Sequence, residues 1–187
     1  MELSVALGQE PVDKEILEGE TRLMNIFYLH PDPLTAAEMH CDKHCVKMIL
    51  ETAQMLCTAH RSLDGDEQAD KLGMYKTAHL NHPSTKWVRG SLLQYEWTYH
   101  LFKFLCSQYT HRFNKVHKTD AKLREALRTP PLAITDDSTY TQPPQCMPDQ
   151  YKVPDDAVQA YRNYYIGEKA YFAKWAYTRT PEWWTVH

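Results

Sequence analysis

Glycine is scarce in this chain, with six in 187 residues, and that scarcity argues against a turn-rich β fold. Long hydrophobic runs are missing too. No apolar stretch approaches the ~20 residues that span a bilayer, so no membrane partner is expected. The opening MELSVALGQEPVDKEILEGE has neither the basic start nor the apolar core of a secretion signal, which points to a cytoplasmic chain. Cys41, Cys45, Cys57, Cys106 and Cys146 are an odd set without secreted-scaffold spacing and read as reduced thiols. The sequence holds no HExxH, no CxxC, no internal repeat and no low-complexity tract.

Aromatic residues are plentiful: twelve Tyr, five Trp and five Phe. Many long side chains and few glycines favour helices. The hydrophobic share of 43% and charged share of 24% suit a globular core. The expected fold is mainly α: a compact single-domain helical bundle with a short N-terminal extended segment and a long Pro-rich loop. The net charge of −3 argues at first against nucleic acid. Residues 1–23, however, carry six acids and two bases and read as an acidic N-terminal extension. The domain at 24–187 is then close to neutral before its histidines are counted, which permits phosphate binding without demanding it.

Asn25-Ile26-Phe27-Tyr28-Leu29 is an apolar run suited to a strand or a buried extended segment. Asp32 as N-cap and Pro33 at the first helical position start a helix expected to reach Arg61. Residues 62–78 read as loop or short helix. Pro83 and Ser84 open a second long helix, to about Arg112, and a third fits Thr119–Leu127. Six prolines fall between Pro130 and Pro154, too many for regular helix, and so long a loop suggests a binding loop or lid. A last helix, capped by Asp155 or Asp156, is expected to run to about Tyr177.

At 100° per residue, His40, His44, Lys47, Glu51, Gln54 and Thr58 share one arc of roughly 80° on the first long helix. Met48, Met55 and Leu50 flank it. The stripe is either the solvent face or a buried polar network. It is narrow and holds two histidines, whereas solvent faces are wide and rich in Glu, Lys and Arg. If covered, its groups must pair or change protonation, and Lys47 and Glu51 at i, i+4 can pair directly. A lysine–glutamate pair beside two imidazoles is an arrangement that tunes acid–base chemistry. A divalent metal on His40, His44 and Glu51 is the rival use, with no cofactor the primary expectation.

Asn81, His82 and Ser84 sit at a helix start, where free N–H groups attract anions. Asn81 or Ser84 as an ordinary cap explains those two, but not His82, Lys86 or Arg89. The stretch His111, Arg112, Lys115, His117, Lys118, Lys122, Arg124 and Arg128 is either solvated surface or a phosphate-contacting face. The last helix interleaves Arg162, Lys169 and Lys174 with Tyr161, Tyr164, Tyr165, Tyr171, Phe172 and Trp175. That is either core or a stacking surface for bases.

MNIFYLHPDP, HCDKHCVKMILETAQML, NHPSTKW, MPDQYKV and AYRNYY together resemble small proteins encoded by bacteriophages. More remotely, Leu29-His30-Pro31, the polar helix, Asn81-His82-Pro83 and Tyr164-Tyr165 resemble the pyrimidine-dimer DNA glycosylases of the endonuclease V type. That resemblance implies a compact helical fold in which an amine attacks the sugar C1′, a carboxylate assists, and a base is expelled from a distorted duplex. The family uses the α-amine of a processed N-terminus, and here 23 residues precede Met24. Glu51 is the candidate carboxylate, one to two turns from a strict count, and Lys47 an alternative amine that must be neutral to attack.

Three functions remain in play. In the first, an N-glycosylase or lyase acts on DNA or a nucleotide, in the host-cell cytoplasm if phage-encoded. Glu51 and Lys47 would be catalytic with His44 and His40 as polar partners, and Asn81, His82, Lys86, Arg89, Arg162 and Tyr165 would bind substrate. The second is a helical His/Glu metalloenzyme. The third is a non-catalytic nucleic-acid or nucleotide-binding protein.

Overall fold

In the computed structural model, which describes residues 25–186, Asp32 and Pro33 start the first helix as their types require. Asp32 Oδ2 accepts from Thr35 N at 2.9 Å and Pro33 takes the first position of α1, Pro33–Met39. The acidic extension read at 1–23 lies outside the described residues. Ahead of α1, Ile26, Phe27, Tyr28 and Leu29 are buried, yet no strand forms among the described residues. Side chains satisfy this extended segment in place of a ladder. Asn25 Nδ2 donates to Cys146 O, Arg162 Nε to Leu29 O and Trp97 Nε1 to Pro31 O.

The first long helix is broken, contrary to the single run expected from 33 to 61. His40 and Cys41 are extended, and α2 spans Asp42–Asp64. Tertiary partners replace the helical hydrogen bonds at the break. His40 Nδ1 donates to Ala36 O at 2.6 Å. Arg112 donates to His40 O at 2.7 Å and Glu38 O at 3.0 Å, and Asp42 N donates to Lys174 O at 2.8 Å. Propensity cannot foresee a break held by groups seventy and more residues away.

Gly65, at φ +87°, ends α2. A short α3, Asp66–Lys71, lies within the stretch expected to be loop or short helix. The second long helix is broken as well, into α4, Pro83–Val88, and α5, Leu92–Phe113. Gln94 Nε2 donates to Trp87 O, Leu92 N to Thr135 O and Ser91 Oγ to Thr139 O. The proline-rich segment thus caps the start of α5. The third helix, α6, is Lys118–Arg128, within a residue of the expected bounds.

Residues 129–156 hold no regular helix beyond one 3-10 turn at Asp149–Tyr151. The last helix, α7, covers Ala157–Glu168 and stops nine residues short of the expected Tyr177. Phe172 N and Ala173 N both turn back onto Lys169 O. The strap that follows is tied to α2, where Ala176 N donates to Asp42 Oδ2 at 2.8 Å.

The antiparallel pair α2 and α5 forms the centre, with α1 packed on α5, α4 on both and α6 closing one side. Methionines flanking the polar stripe, Met48 and Met55, are wholly buried. Among the described residues, no helix is long and apolar enough to cross a membrane.

Gly167 permits the 3-10 turn to lie on α7, since a Cβ there would run into the Tyr151 ring. Gly167→Ala is expected to cost about 1–3 kcal/mol by overpacking. Tyr151→Ala in the same chain should recover most of that loss in urea unfolding. Additive losses would show that the clash is not the cause.

Candidate functional site

The first half of α2 carries the polar stripe into the interior. Lys47 and Glu51 retain only 16% of their side-chain surface each, with Lys47 Nζ 3.8 Å from Glu51 Oε1. His44 and Thr58 are fully buried. The stripe is therefore a covered network and not the solvent face. Its two ends differ in role. Thr58 exchanges hydrogen bonds with Ala78 and pins the segment leading to α4, which is structural.

His40 lies off the helical register because of the break, but it is buried beside the stripe. Its Nδ1 is committed to Ala36 O, so Nε2 carries the lone pair, and that atom is buried with no hydrogen-bond partner. Burial drives its pKa from 6.5 to about 4, the Ala36 hydrogen bond opposing and the Arg112 charge adding to the fall. His44 is held well below the usual range, first by burial and then by the neighbouring His40 and the positive charges of Lys169, Lys47 and Lys43. Its Nδ1 is 2.7 Å from the Tyr165 hydroxyl, and Phe27 stacks on its ring at 4.3 Å. Its Nε2 is likewise buried with no hydrogen-bond partner. Both imidazoles are therefore neutral and not cations.

The aromatic wall comes from the far end of the chain. Phe172 lies 5.3 Å from the His44 ring and Lys43 Nζ sits 4.6 Å over the Phe172 ring. Lys169, 9% exposed, places Nζ 4.9 Å over Tyr164. Sequence reasoning placed Lys169 in a helix and gave it no role in the site. No local pattern could have found it, because the Asp42-bound strap is what brings it there.

The other sequence candidates scatter. Tyr165 is fully buried behind His44, a support for the imidazole and not an open stacking platform. Arg162 is partly buried, donates to Leu29 O and lies 5.5 Å over Trp183. It lines a separate groove of about 860 Å³ with Glu38, His111, Arg179 and Glu182. His82, not Asn81 or Ser84, caps α4 by accepting from Ser84 N at 3.1 Å. Asn81 and Lys86 are exposed. Arg89 is partly buried, with Nη1 enclosed and without a hydrogen-bond partner, and burial lowers its pKa.

The basic stretch at 111–128 is partly structural: Arg112 is buried at the α1–α2 break, and Arg124 pairs with Asp120 at 2.6 Å. Among the described residues no three His, Cys, Asp or Glu side chains gather to hold a metal ion. The break takes His40 off the face that the rival set of His40, His44 and Glu51 assigned to it. The five cysteines are free thiols, and burial pushes Cys45 up to about 12 and Cys57 to about 11, as inert reduced cysteines require.

Residues 24–121 match the model of a family described as pyrimidine dimer DNA glycosylase. The matched stretch contains His40, His44, Lys47, Glu51, Asn81, His82, Lys86 and Arg89, and ends before Arg162, Tyr165 and Lys169. Comparison with curated proteins and with solved structures gives no match.

The buried neutral histidines make stability acid-sensitive with a defined sign. An imidazole whose folded pKa is depressed protonates first in the unfolded chain, so stability is full above about pH 6.5 and falls as pH drops. The His40 contribution, on the order of 3 kcal/mol, is lost by about pH 4. His40→Gln should flatten the fall in urea midpoint between pH 6.5 and 4 by about one proton's worth. An unchanged slope would assign the acid sensitivity elsewhere.

Proposed function

We propose a reaction for this chain from one premise: it belongs to the pyrimidine dimer DNA glycosylase family. At that level it is DNA-glycosylase-like, with DNA as its substrate. The finer reading is an N-glycosylase with lyase activity, in which Glu51 is the carboxylate and Lys47 the amine. The observation that carries it is the Lys47–Glu51 pair, largely covered, inside the family-matched segment and one turn from a neutral His44.

The chemistry needs a neutral amine and a proton for the departing base. Transfer of a proton from the Lys47 ammonium to Glu51 supplies both at once. The amine attacks C1′ as the C1′–N bond to the pyrimidine breaks. The base leaves with the bonding pair and takes the proton held by Glu51. Loss of a second amine proton and opening of the C1′–O4′ bond give an imine. Removal of a C2′ proton then breaks the C3′–O bond and releases the 3′ strand. His44 and His40 offer uncharged polar atoms next to the amine, and the methionine and aromatic surroundings exclude water that would level these proton transfers. Lys86 and Arg89 would engage phosphate, and the enclosed Arg89 Nη1 without a partner supports an anionic ligand there.

Borohydride is expected to trap a covalent adduct between the protein and dimer-containing or abasic DNA. Lys47→Ala should abolish the adduct, and Glu51→Gln should lower the single-turnover rate by about 10²–10⁴-fold. Persistent trapping in Lys47→Ala would remove Lys47 from the mechanism, and a full rate in Glu51→Gln would remove the carboxylate. Arg89→Ala should weaken DNA binding and reduce its salt dependence by about one counterion.

A further inference from the structure

The chain after α7 carries no acid between Glu168 and Glu182, and two hollows flank it. The lining of the smaller, about 490 Å³, includes Lys174, Trp175, Thr180 and Trp184. That of the larger, about 860 Å³, includes His111, Arg162, Thr180 and Trp183. Thr180 borders both, so the hollows are neighbours, and the consecutive residues Trp183 and Trp184 supply one indole to each. Both volumes fall within the range of about 300–1,000 Å³ usual for ligand sites.

Each hollow pairs an indole with a cation. Arg162 lies 5.5 Å over the Trp183 ring, and a guanidinium so placed is a plane on which a flat ring can stack. Trp184 sits 5.0 Å from Trp175, and the exposed Lys174 lines the same hollow. The indoles are set before any ligand arrives. Trp175, Trp183 and Trp184 all pack around the Tyr165 ring, Trp175 Nε1 donates to Met39 O at 3.0 Å, and Trp184 N donates to Pro181 O at 3.1 Å. A platform already ordered loses little conformational freedom on binding. The bases Lys174, Arg162 and Arg179 outnumber the acids Glu38 and Glu182 across the two hollows. Arg179 and Glu182 pair at 2.8 Å in full contact with water, where such a pair is worth little.

We propose that the two hollows hold successive bases of an unpaired DNA strand, one stacked on Trp184 and the next on the Arg162–Trp183 pair, with Lys174 engaging the backbone. The choice of DNA rests on the family reading above. The seat itself stands apart from the Lys47–Glu51 pair, and its stacking residues lie beyond the family-matched segment. In a duplex the bases are stacked on one another and offer only their edges, whereas unpaired bases offer their faces. Every base has such a face, so the seat is indifferent to sequence and to damage. It gives the protein a hold on single-stranded stretches whether or not a lesion is present.

The full chain is titrated with three undamaged, fluorescently labelled probes of equal length, and binding is read by anisotropy. The probes are oligothymidylate, the same chain with tetrahydrofuran spacers in place of every base, and a blunt duplex. Oligothymidylate should bind about tenfold or more tighter than the spacer chain, and tighter than the duplex. Trp184→Leu should lose about tenfold on oligothymidylate and nothing on the spacer chain, while Trp184→Phe, which keeps a ring, should restore most of the loss. Lys174→Gln should weaken both single strands alike and lower the salt slope by about 0.7. Equal affinity for the base-bearing and spacer chains would overturn the seat, as would a duplex that binds as tightly as the single strand. So would a Trp184→Leu penalty shared by all three probes, or a Trp184→Phe variant no better than Trp184→Leu. A borohydride adduct on dimer-containing duplex without any single-strand preference would sink the seat and leave the glycosylase reading standing. Single-strand preference without an adduct would do the reverse.

Discussion

One guanidinium organises the region on which everything else depends. Arg112, fully covered, donates to His40 O at 2.7 Å and to Glu38 O at 3.0 Å. It also reaches Asp42 Oδ1 at 3.2 Å and Gln108 Oε1 at 3.1 Å. A buried cation so engaged is costly to strand, by about 3–5 kcal/mol when a partner is removed. It therefore fixes its surroundings. The carbonyls it takes are those that a continuous helix would have used, so α1 must end at Met39 and α2 must begin anew at Asp42. Asp42, thus oriented, holds the strap after α7 at both Lys174 O and Ala176 N. The positions of His40, His44 and Lys169 all follow from this one cluster.

The legible parts of the fold were local. Asp32-Pro33, the proline-rich break after α6 and the bounds of α6 depend on residues within a turn or two of one another. The Lys47–Glu51 pair was legible for the same reason, since i, i+4 spacing on any helix brings such side chains together. Both helix breaks escaped because their causes are distant. Arg112 acts from α5 on residues 38–42, and Thr135 and Thr139 act from the proline-rich segment on Ser91 and Leu92. The angular reading of the stripe survived for His44, Lys47 and Glu51, which share α2. It failed for His40, which does not. Tyr165 and Lys169 illustrate the same divide: the helix that holds Tyr165 and ends at Lys169 was foreseeable from composition, their neighbours were not.

The electrostatics of the site follow from where water is absent. In an aqueous setting, a lysine–glutamate pair at 3.8 Å is worth little, and two histidines would titrate near pH 6.5. Under cover the histidines lose their protons, and the Lys47–Glu51 pair stays as the charged feature beside them. Phe27 and Phe172 pack against the His44 ring and maintain that cover, while Lys47 and Glu51 each keep a small exposed fraction.

The boundary of the family match divides this site along a physical line. Residues 24–121 contain Lys47, Glu51 and both buried imidazoles, and all but His40 sit on α2. The walls, Tyr164, Tyr165, Lys169 and Phe172, belong to the chain beyond it. A single helix anchored through Asp42 holds Lys47, Glu51 and His44 in fixed register. Enclosing groups need only exclude water and present charge, which many side-chain combinations can do. The Arg112–Asp42 cluster is the joint at which the two halves are registered: it fixes the start of α2 and the course of the strap with the same carboxylate.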